Sequence, residues 1–288
     1  MLDISSGIDT VTQALLAQVS SASALEGLDF FVVGATARDI ILYHGFGISP
    51  GTATVDVDIA VLVSEWRQFS KLKEALLATG SFSATGATQR LLYQRRLPLD
   101  IVPFGALAVD GQIRWPPDEA TVMSVLGFAE AHEQAISVLV RQTPKLVVKF
   151  ASPAGWALLK FISWNDRGQF SGKDAQDLLT ILSHYADAGH EERLYEEESE
   201  LLAGEDFDIV LAGARLLGRD IARLSRPETR ALVGDILARE TDAAGSYGLI
   251  TAMLRGRRIE PERAFDATLL LVAKLKEGFE EGEGSNEQ

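Results

Sequence analysis

The stretch that most constrains this chain is Phe30 to Val63, in which two apolar runs enclose a turn, a helical pattern and a polar loop. The first run ends at Gly34, the helical pattern passes through Ile41, and the second run carries Asp56 and Asp58. Successive side chains of a strand point to opposite faces. The pattern therefore predicts strand, turn, helix and strand, with both aspartates on one face of the second strand.

Two carboxylates on one face of an apolar strand indicate a cation site. Unpaired carboxylates are costly to bury, and like charges held close together repel, so a divalent cation between them resolves both problems. A later strand pattern, LPLDIVPF, carries Asp100 and would complete the site if it lies next to the first. A solvated strand end or a structural calcium site is the alternative. We predict Asp56, Asp58 and Asp100 as metal ligands and catalytic residues.

Composition excludes several classes of protein. The chain has 288 residues, enough for two domains, and no cysteine, which excludes disulfides and thiolate metal sites. Its net charge of −14 disfavours bulk nucleic-acid binding, although Arg90, Arg95 and Arg96 form a candidate basic patch. Because no signal-peptide pattern and no apolar run of about 18 residues is present, we expect a cytoplasmic protein with no membrane partner.

The periodicity of the chain changes near residue 151. Before it, short apolar runs alternate with helical patterns and turns, whereas later segments have helical spacing. Ser152 and Pro153 form a typical helix start. We predict the α+β class: a domain at 1–151 with a mixed sheet flanked by helices, an all-helical domain at 152–279, and a disordered acidic tail at 280–288.

The runs VVGATARD, TVDVDIAV and LPLDIVPF together resemble the nucleotidyltransferase superfamily that includes DNA polymerase beta. With the downstream segment ALLKFISWNDRGQFSGKDAQDLLTIL, the chain looks most like the AbiEii-type toxins and their uncharacterised relatives over about residues 30–185. The resemblance implies a nucleotidyltransferase fold in the first domain and two magnesium ions held by Asp56, Asp58 and Asp100.

The resemblance also implies a nucleotide-binding set. Gly34, Ala35 and Thr36 would form the turn beneath the triphosphate, and Lys160 would reach a phosphate, although a lysine on an apolar helix more often extends to water. Lys173, Asp174 and Asp177 would belong to a helical motif beside the cleft. The full implied nucleotide-binding set is Gly34, Ala35, Thr36, Arg38, Thr54, Lys160, Lys173 and Asp174.

The implied activity is transfer of a nucleoside monophosphate from a nucleoside triphosphate to an acceptor hydroxyl. The acceptor would be a tRNA end or a protein, and a toxin role would imply an antitoxin partner. VGATARD and DVDIA also resemble the tRNA CCA-adding enzymes, but the Asp-Phe-Thr-Ile-Asn-Ala segment of that family is absent. A non-catalytic nucleotide-binding or partner-binding module is a further alternative, because Ala35 has no hydroxyl to bind phosphate.

Overall fold

The computed structural model describes residues 1–49, 56–168, 172–256 and 261–284. The chain forms two compact units, Met1–Ser152 and Pro153–Gln288. The first contains a mixed sheet with helices, and the described residues of the second form helices without strands. The α+β class predicted from the sequence is therefore confirmed. The split lies beside the boundary that the periodicity predicts.

The strands of the first unit are short and most follow the apolar runs of the sequence. They are β1 Leu2–Asp3, β2 Asp29–Val33, β3 Val57–Leu62, β4 Phe82–Ala84, β5 Arg90–Tyr93, β6 Leu97–Phe104, β7 Gln112–Arg114, β8 Val122–Ser124, β9 Ile136–Arg141 and β10 Leu146–Phe150. Strands β7 and β8 form a separate antiparallel hairpin.

Eight of the described strands form one sheet in the order β1-β9-β10-β2-β3-β6-β5-β4. Strand β3 lies inside this sheet, antiparallel to β2 and parallel to β6. Its residues Val57, Ile59, Ala60 and Val61 are all buried, so apolar side chains cover both of its faces. Burial on both faces is typical of a strand with a parallel neighbour. The strand that carries Asp58 and directly follows Asp56 is thus rigidly held.

Four described helices accompany this sheet: α1 Thr10–Leu25, α2 Gly34–Arg38, α3 Trp66–Ala78 and α4 Phe128–Glu133. The side chain of Asp9 caps α1 by accepting from two backbone amides of its first turn. Helix α2 starts directly after β2 and runs on into a π-helical segment, Asp39–Gly45. Helix α4 is not predicted by the sequence because its six residues are too few to show a helical period.

The second unit contains α5 Pro153–Arg167, α6 Lys173–His184, α7 Glu191–Glu196, α8 Ser199–Gly204, α9 Ile209–Leu224, α10 Pro227–Thr241, α11 Gly248–Leu254 and α12 Pro261–Gly284. Helices α7 and α8 are short and separate. Helix α12 includes residues 280–284, which the sequence places in the disordered tail. Among the described residues, no helix combines the length and apolar character needed to cross a membrane.

Helices α9 and α12 pack with their backbones in direct contact. A Cβ atom at Gly278 of α12 would overlap the carbonyl oxygen of Arg215 on α9, so only glycine permits this approach. Arg219 of α9 also donates to Glu281 of α12, with an Nε to Oε2 distance of 2.7 Å. The glycine contact and the ion pair fasten the last helix to the helical unit.

Candidate metal centre

Asp56, Asp58 and Asp100 converge at one point of the sheet. Asp56 directly precedes β3, Asp58 is the second residue of β3, and Asp100 lies within β6. Asp58 and Asp100 are register partners across the parallel pair, so their side chains project to the same face. One ligand oxygen from each of the three residues lies within 4.8 Å of the others. The three residues predicted as metal ligands therefore form one cluster.

The donor set of this cluster fits a hard divalent cation. Mg²⁺ prefers carboxylate oxygens at about 2.0–2.1 Å in octahedral geometry, so adjacent ligands of one ion are about 3 Å apart and opposite ligands about 4 Å apart. Oxygen separations within 4.8 Å reach that arrangement after small side-chain movements. The side chains of Asp56 and Asp100 are 32% and 16% exposed, so the cluster is held by the fold and is still open to solvent. The three residues fit a magnesium site.

Arg90 of β5 is a fourth member of the cluster. Its Nε and Nη2 atoms donate to the two carboxylate oxygens of Asp100, at 2.7 and 2.6 Å, and Nη2 lies 3.6 Å from an oxygen of Asp56. The hydrogen bond to Asp100, followed by the charges of Asp100, Asp56 and Asp58, raises the pKa of Arg90 above its ordinary value. The sequence alone predicts Arg90 as part of a basic patch with Arg95 and Arg96. The sequence signal for the true position of Arg90 is the short turn between β5 and β6. This turn sets the strand register, and the register places Arg90 opposite Asp100.

Gly34 lies against the cluster and leaves no room for a side chain. Its φ of +65° is in the left-handed region, and a Cβ atom there would lie 2.6 Å from Cγ and 2.8 Å from Cβ of Asp58. Only glycine combines this backbone conformation with so close a neighbour. The glycine in the turn after β2 therefore leaves the space that the Asp58 side chain occupies.

Replacing Gly34 with alanine is expected to displace the Asp58 carboxylate and to weaken Mn²⁺ binding by about 10-fold or more, in line with the effect of mutating groups that orient metal ligands. The measurement is calorimetric titration of Mn²⁺. Gly80→Ala is the matched control, because Gly80 also has a positive φ but a Cβ atom there meets nothing within 4 Å. Equal metal affinity in the two variants would show that the contact with Asp58 does not matter.

The other residues of the implied triphosphate turn are engaged within the first unit. Thr36 is 4% exposed, and its hydroxyl donates to the backbone carbonyl of Asp56 at 2.5 Å. Ala35 is half-buried at the second position of α2. Arg38 is 5% exposed and donates through Nε to Asp39 at 2.7 Å. Thr36 thus anchors the segment that carries Asp56, and the phosphate-binding role of this turn stays a prediction.

Thr54, the remaining nucleotide-binding residue implied for the first domain, lies outside the described residues. In the second unit, Lys173 lies at the start of α6 and is half-buried, whereas Asp174 and Asp177 are buried. The ammonium of Lys160 lies 2.8 Å from Asp174 and 2.6 Å from Asp177. It also lies 5.5 Å from the ring centre of Trp156.

Lys160 does not extend to water, since its side chain is only 12% exposed. Burial by itself would lower the pKa of Lys160, but the charges and hydrogen bonds of Asp177 and Asp174 outweigh burial and raise the pKa. The structure thus gives Lys160, Asp174 and Asp177 a shared place in one buried ion-pair cluster. Their predicted roles toward a nucleotide stay predictions.

No protein-family model and no curated protein matches the chain. Among solved structures, the antibiotic-resistance factor ANT(2'')-Ia is similar at 15% identity and a TM-score of 0.37, over 69% of this chain and 98% of that one. An antigenic nucleotidyltransferase-like protein from Paracoccidioides brasiliensis is similar at 14% identity and a TM-score of 0.40, over 70% and 92% of the two chains.

The apo form II of a CCA-adding enzyme is similar at 10% identity and a TM-score of 0.30, over 98% of this chain and 84% of that one. None of these three structures is named as an AbiEii-type toxin, so that finer resemblance stays a prediction. At these identities and TM-scores, the similarities assign neither a family nor an activity to the chain.

Proposed function

We propose that this chain is a metal-dependent nucleotidyltransferase, which moves a nucleoside monophosphate from a nucleoside triphosphate to an acceptor hydroxyl. One observation carries the proposal: one carboxylate oxygen from each of Asp56, Asp58 and Asp100 lies within 4.8 Å of the others, at the adjacent strands β3 and β6. Carboxylates placed in this way are what phosphoryl-group chemistry with bound magnesium requires. A domain that binds no cation has no physical need to hold three like charges together.

In the proposed reaction, the acceptor oxygen forms a bond to the α-phosphorus while the bond from that phosphorus to the bridging oxygen breaks, and pyrophosphate leaves. Asp56 and Asp58 would hold two Mg²⁺ ions, and Asp100 would share one of them and help to take the proton of the acceptor hydroxyl. When bound, divalent cations polarise the phosphate and neutralise the charge that develops in an in-line displacement. Gly34 keeps the space that the Asp58 carboxylate needs for this task.

The acceptor that we propose is an RNA end or a protein side chain, with a toxin role and an antitoxin partner as the finer form of the same hypothesis. This part rests on the sequence resemblance. The net charge of −14 favours a protein or a short RNA end over an extended nucleic acid, since an acidic chain gains little from phosphate contacts.

The test is calorimetric titration of each of the four ribonucleoside triphosphates, with and without Mg²⁺, on the wild type and on Asp56→Ala/Asp58→Ala. We expect binding of at least one triphosphate to require Mg²⁺ and to disappear in the double variant. The base that binds then names the labelled triphosphate for an acceptor search.

A folded wild type that binds no triphosphate would overturn the transferase proposal. In that case a partner-binding module becomes the better account, and the buried, engaged hydroxyl of Thr36 and the missing hydroxyl at Ala35 would agree with it. Circular dichroism of both proteins confirms that loss of binding does not reflect loss of folding.

A further inference from the structure

Arg90 and Asp100 are directly opposite each other on the antiparallel strands β5 and β6. Side chains at opposed positions of neighbouring strands lie close together on the same face. The strand register of the sheet, and not a flexible loop, therefore places the guanidinium of Arg90 beside the carboxylate cluster. This placement makes Arg90 a built part of the candidate metal centre.

The contacts of Arg90 are those of a strong ion pair. Two parallel N–H donors meet both oxygens of Asp100, at 2.7 and 2.6 Å, which is the geometry that a guanidinium and a carboxylate prefer. The same guanidinium approaches Asp56 at 3.6 Å. Arg90 thus presents its positive charge to two of the three residues that would hold a metal ion.

The guanidinium of Arg90 reduces the net negative charge of the carboxylate cluster. Asp56, Asp58 and Asp100 carry three negative charges, and Arg90 supplies one positive charge that cannot be removed by deprotonation near neutral pH. These four side chains together carry a charge of −2, which one divalent cation balances. A second cation would then need negative charge from elsewhere, and the phosphates of a nucleoside triphosphate are a direct source.

We propose that Arg90 is a built-in counter-ion of this site: it holds the charge of Asp100 when no nucleotide is bound, and it lowers the affinity of the cluster for free divalent cations. Full loading with metal is then coupled to arrival of the nucleotide. This inference rests on the metal centre of the proposed function. It adds Arg90 to that centre and makes metal binding depend on the nucleotide. Because Arg90 is 39% exposed, its side chain has space to move away from Asp100.

The alternative is that Arg90 only orients Asp100, as partners of metal-binding side chains commonly do. The two roles predict opposite effects when Arg90 is replaced. Loss of a competing charge strengthens cation binding, whereas loss of an orienting hydrogen bond weakens it. The sign of the change therefore separates them.

The experiment is calorimetric titration of Mn²⁺, without nucleotide, on the wild type, Arg90→Gln and Arg96→Gln. The control removes the same charge from the turn that joins β5 and β6. We expect Arg90→Gln to bind Mn²⁺ about 10-fold more tightly than the wild type, the size expected for one charge several ångströms away at a partly solvated site. Arg96→Gln should stay close to the wild type.

A second readout is the melting temperature with and without Mn²⁺. Arg90→Gln should melt lower than the wild type without metal, because Asp100 then loses its ion pair with the guanidinium, and it should gain more on saturation with Mn²⁺. Unchanged or weaker Mn²⁺ binding by Arg90→Gln overturns the counter-ion role, and no Mn²⁺ binding by either protein overturns the metal centre as well. If the protein binds Mn²⁺ but no triphosphate, only the transferase proposal is overturned. The difference in Mn²⁺ affinity between the wild type and Arg90→Gln then still tests the counter-ion role.

Discussion

The Asp58→Asn variant is expected to lose transferase activity by about 10³-fold, since a bound cation contributes several kcal/mol to the stabilisation of the transition state and each 1.36 kcal/mol is about tenfold in rate. Asparagine keeps the size of aspartate and one carbonyl oxygen, but it lacks the charge that holds a cation. The assay is release of pyrophosphate with Mg²⁺, the triphosphate found by titration and the acceptor on which the wild type is active.

The same variant should remain folded. The introduced asparagine has the shape of the aspartate that it replaces and would still fit in the space that Gly34 leaves, so we expect the melting temperature without metal to stay near that of the wild type. With saturating Mg²⁺ at about 100 times the dissociation constant, the wild type should gain about 2.7 kcal/mol in free energy of unfolding, and the variant should not. Loss of activity would then be separated from loss of structure.

Asp118→Asn is the control for this prediction. Asp118 is an exposed aspartate of the same unit outside the cluster, and its side chain accepts a hydrogen bond from the backbone amide of Ala120 that asparagine can also accept. Activity and metal response should both match the wild type. An Asp58→Asn variant that keeps full activity would contradict the role of the cluster.

The shared direction of Asp56 and Asp58 could be predicted because it depends on strand geometry alone. Alternation along a strand puts residues 56 and 58 on one face, and the apolar residues between and after them, Val57 and Ile59, are 2% and 0% exposed. Asp100 needed one further assumption, that its strand lies next to β3. The parallel register confirms that assumption.

The contacts around the cluster could not be predicted, because they depend on distances that no periodicity contains. Arg90 meets Asp100 through the register of a hairpin, and its sequence neighbours Arg95 and Arg96 suggested a basic surface instead. Gly34 looked like a phosphate-binding turn, yet its lack of a side chain is required by the position of Asp58. The roles of Arg90 and Gly34 beside the cluster become visible only in the folded structure, where the strands set the distances.

In the helical unit, hydrophobic spacing predicts the helices but not their exact ends or their buried charges. Spacing does not reveal the left-handed Gly189, with a φ of 91°, which lies between α6 and α7. Nor does it show that two acidic residues of α6 face a lysine of α5, because apolar patterns treat every charged residue as exposed. Lys160 is the buried charged residue whose loss we expect to change stability most.

Replacing Lys160 with methionine is expected to lower the free energy of unfolding by about 3–5 kcal/mol, the usual result of breaking a buried ion pair by removing one partner. Methionine fills a similar volume, so the loss comes from the charges of Asp174 and Asp177, which are each 7% exposed and would lose their close contacts with the ammonium of Lys160. The measurement is urea denaturation. Lys276→Met, which removes a partner of the exposed Glu280, should cost no more than about 1 kcal/mol.

The pH dependence of this effect follows from the raised pKa of Lys160. A lysine whose pKa is higher in the folded state stabilises the protein fully below its unfolded pKa, about 10.4, and loses that contribution as the pH rises through the folded value. The difference in stability between the wild type and Lys160→Met should therefore stay constant from about pH 6 to about pH 9, below the unfolded pKa of lysine. It should shrink only in strong alkali.

A triple variant, Lys160→Met/Asp174→Asn/Asp177→Asn, separates the structural role of Lys160 from the phosphate-binding role that the family resemblance implies. If the lysine serves mainly to neutralise the two buried carboxylates, removing their charges should restore most of the lost stability, since neutral amides need no cation. If Lys160 binds a phosphate in addition, the triple variant should regain that stability and still bind the triphosphate at least about 10-fold more weakly than the wild type, equal to about 1.4 kcal/mol. The burial of all three side chains and the two short contacts of the ammonium lead us to expect the first result.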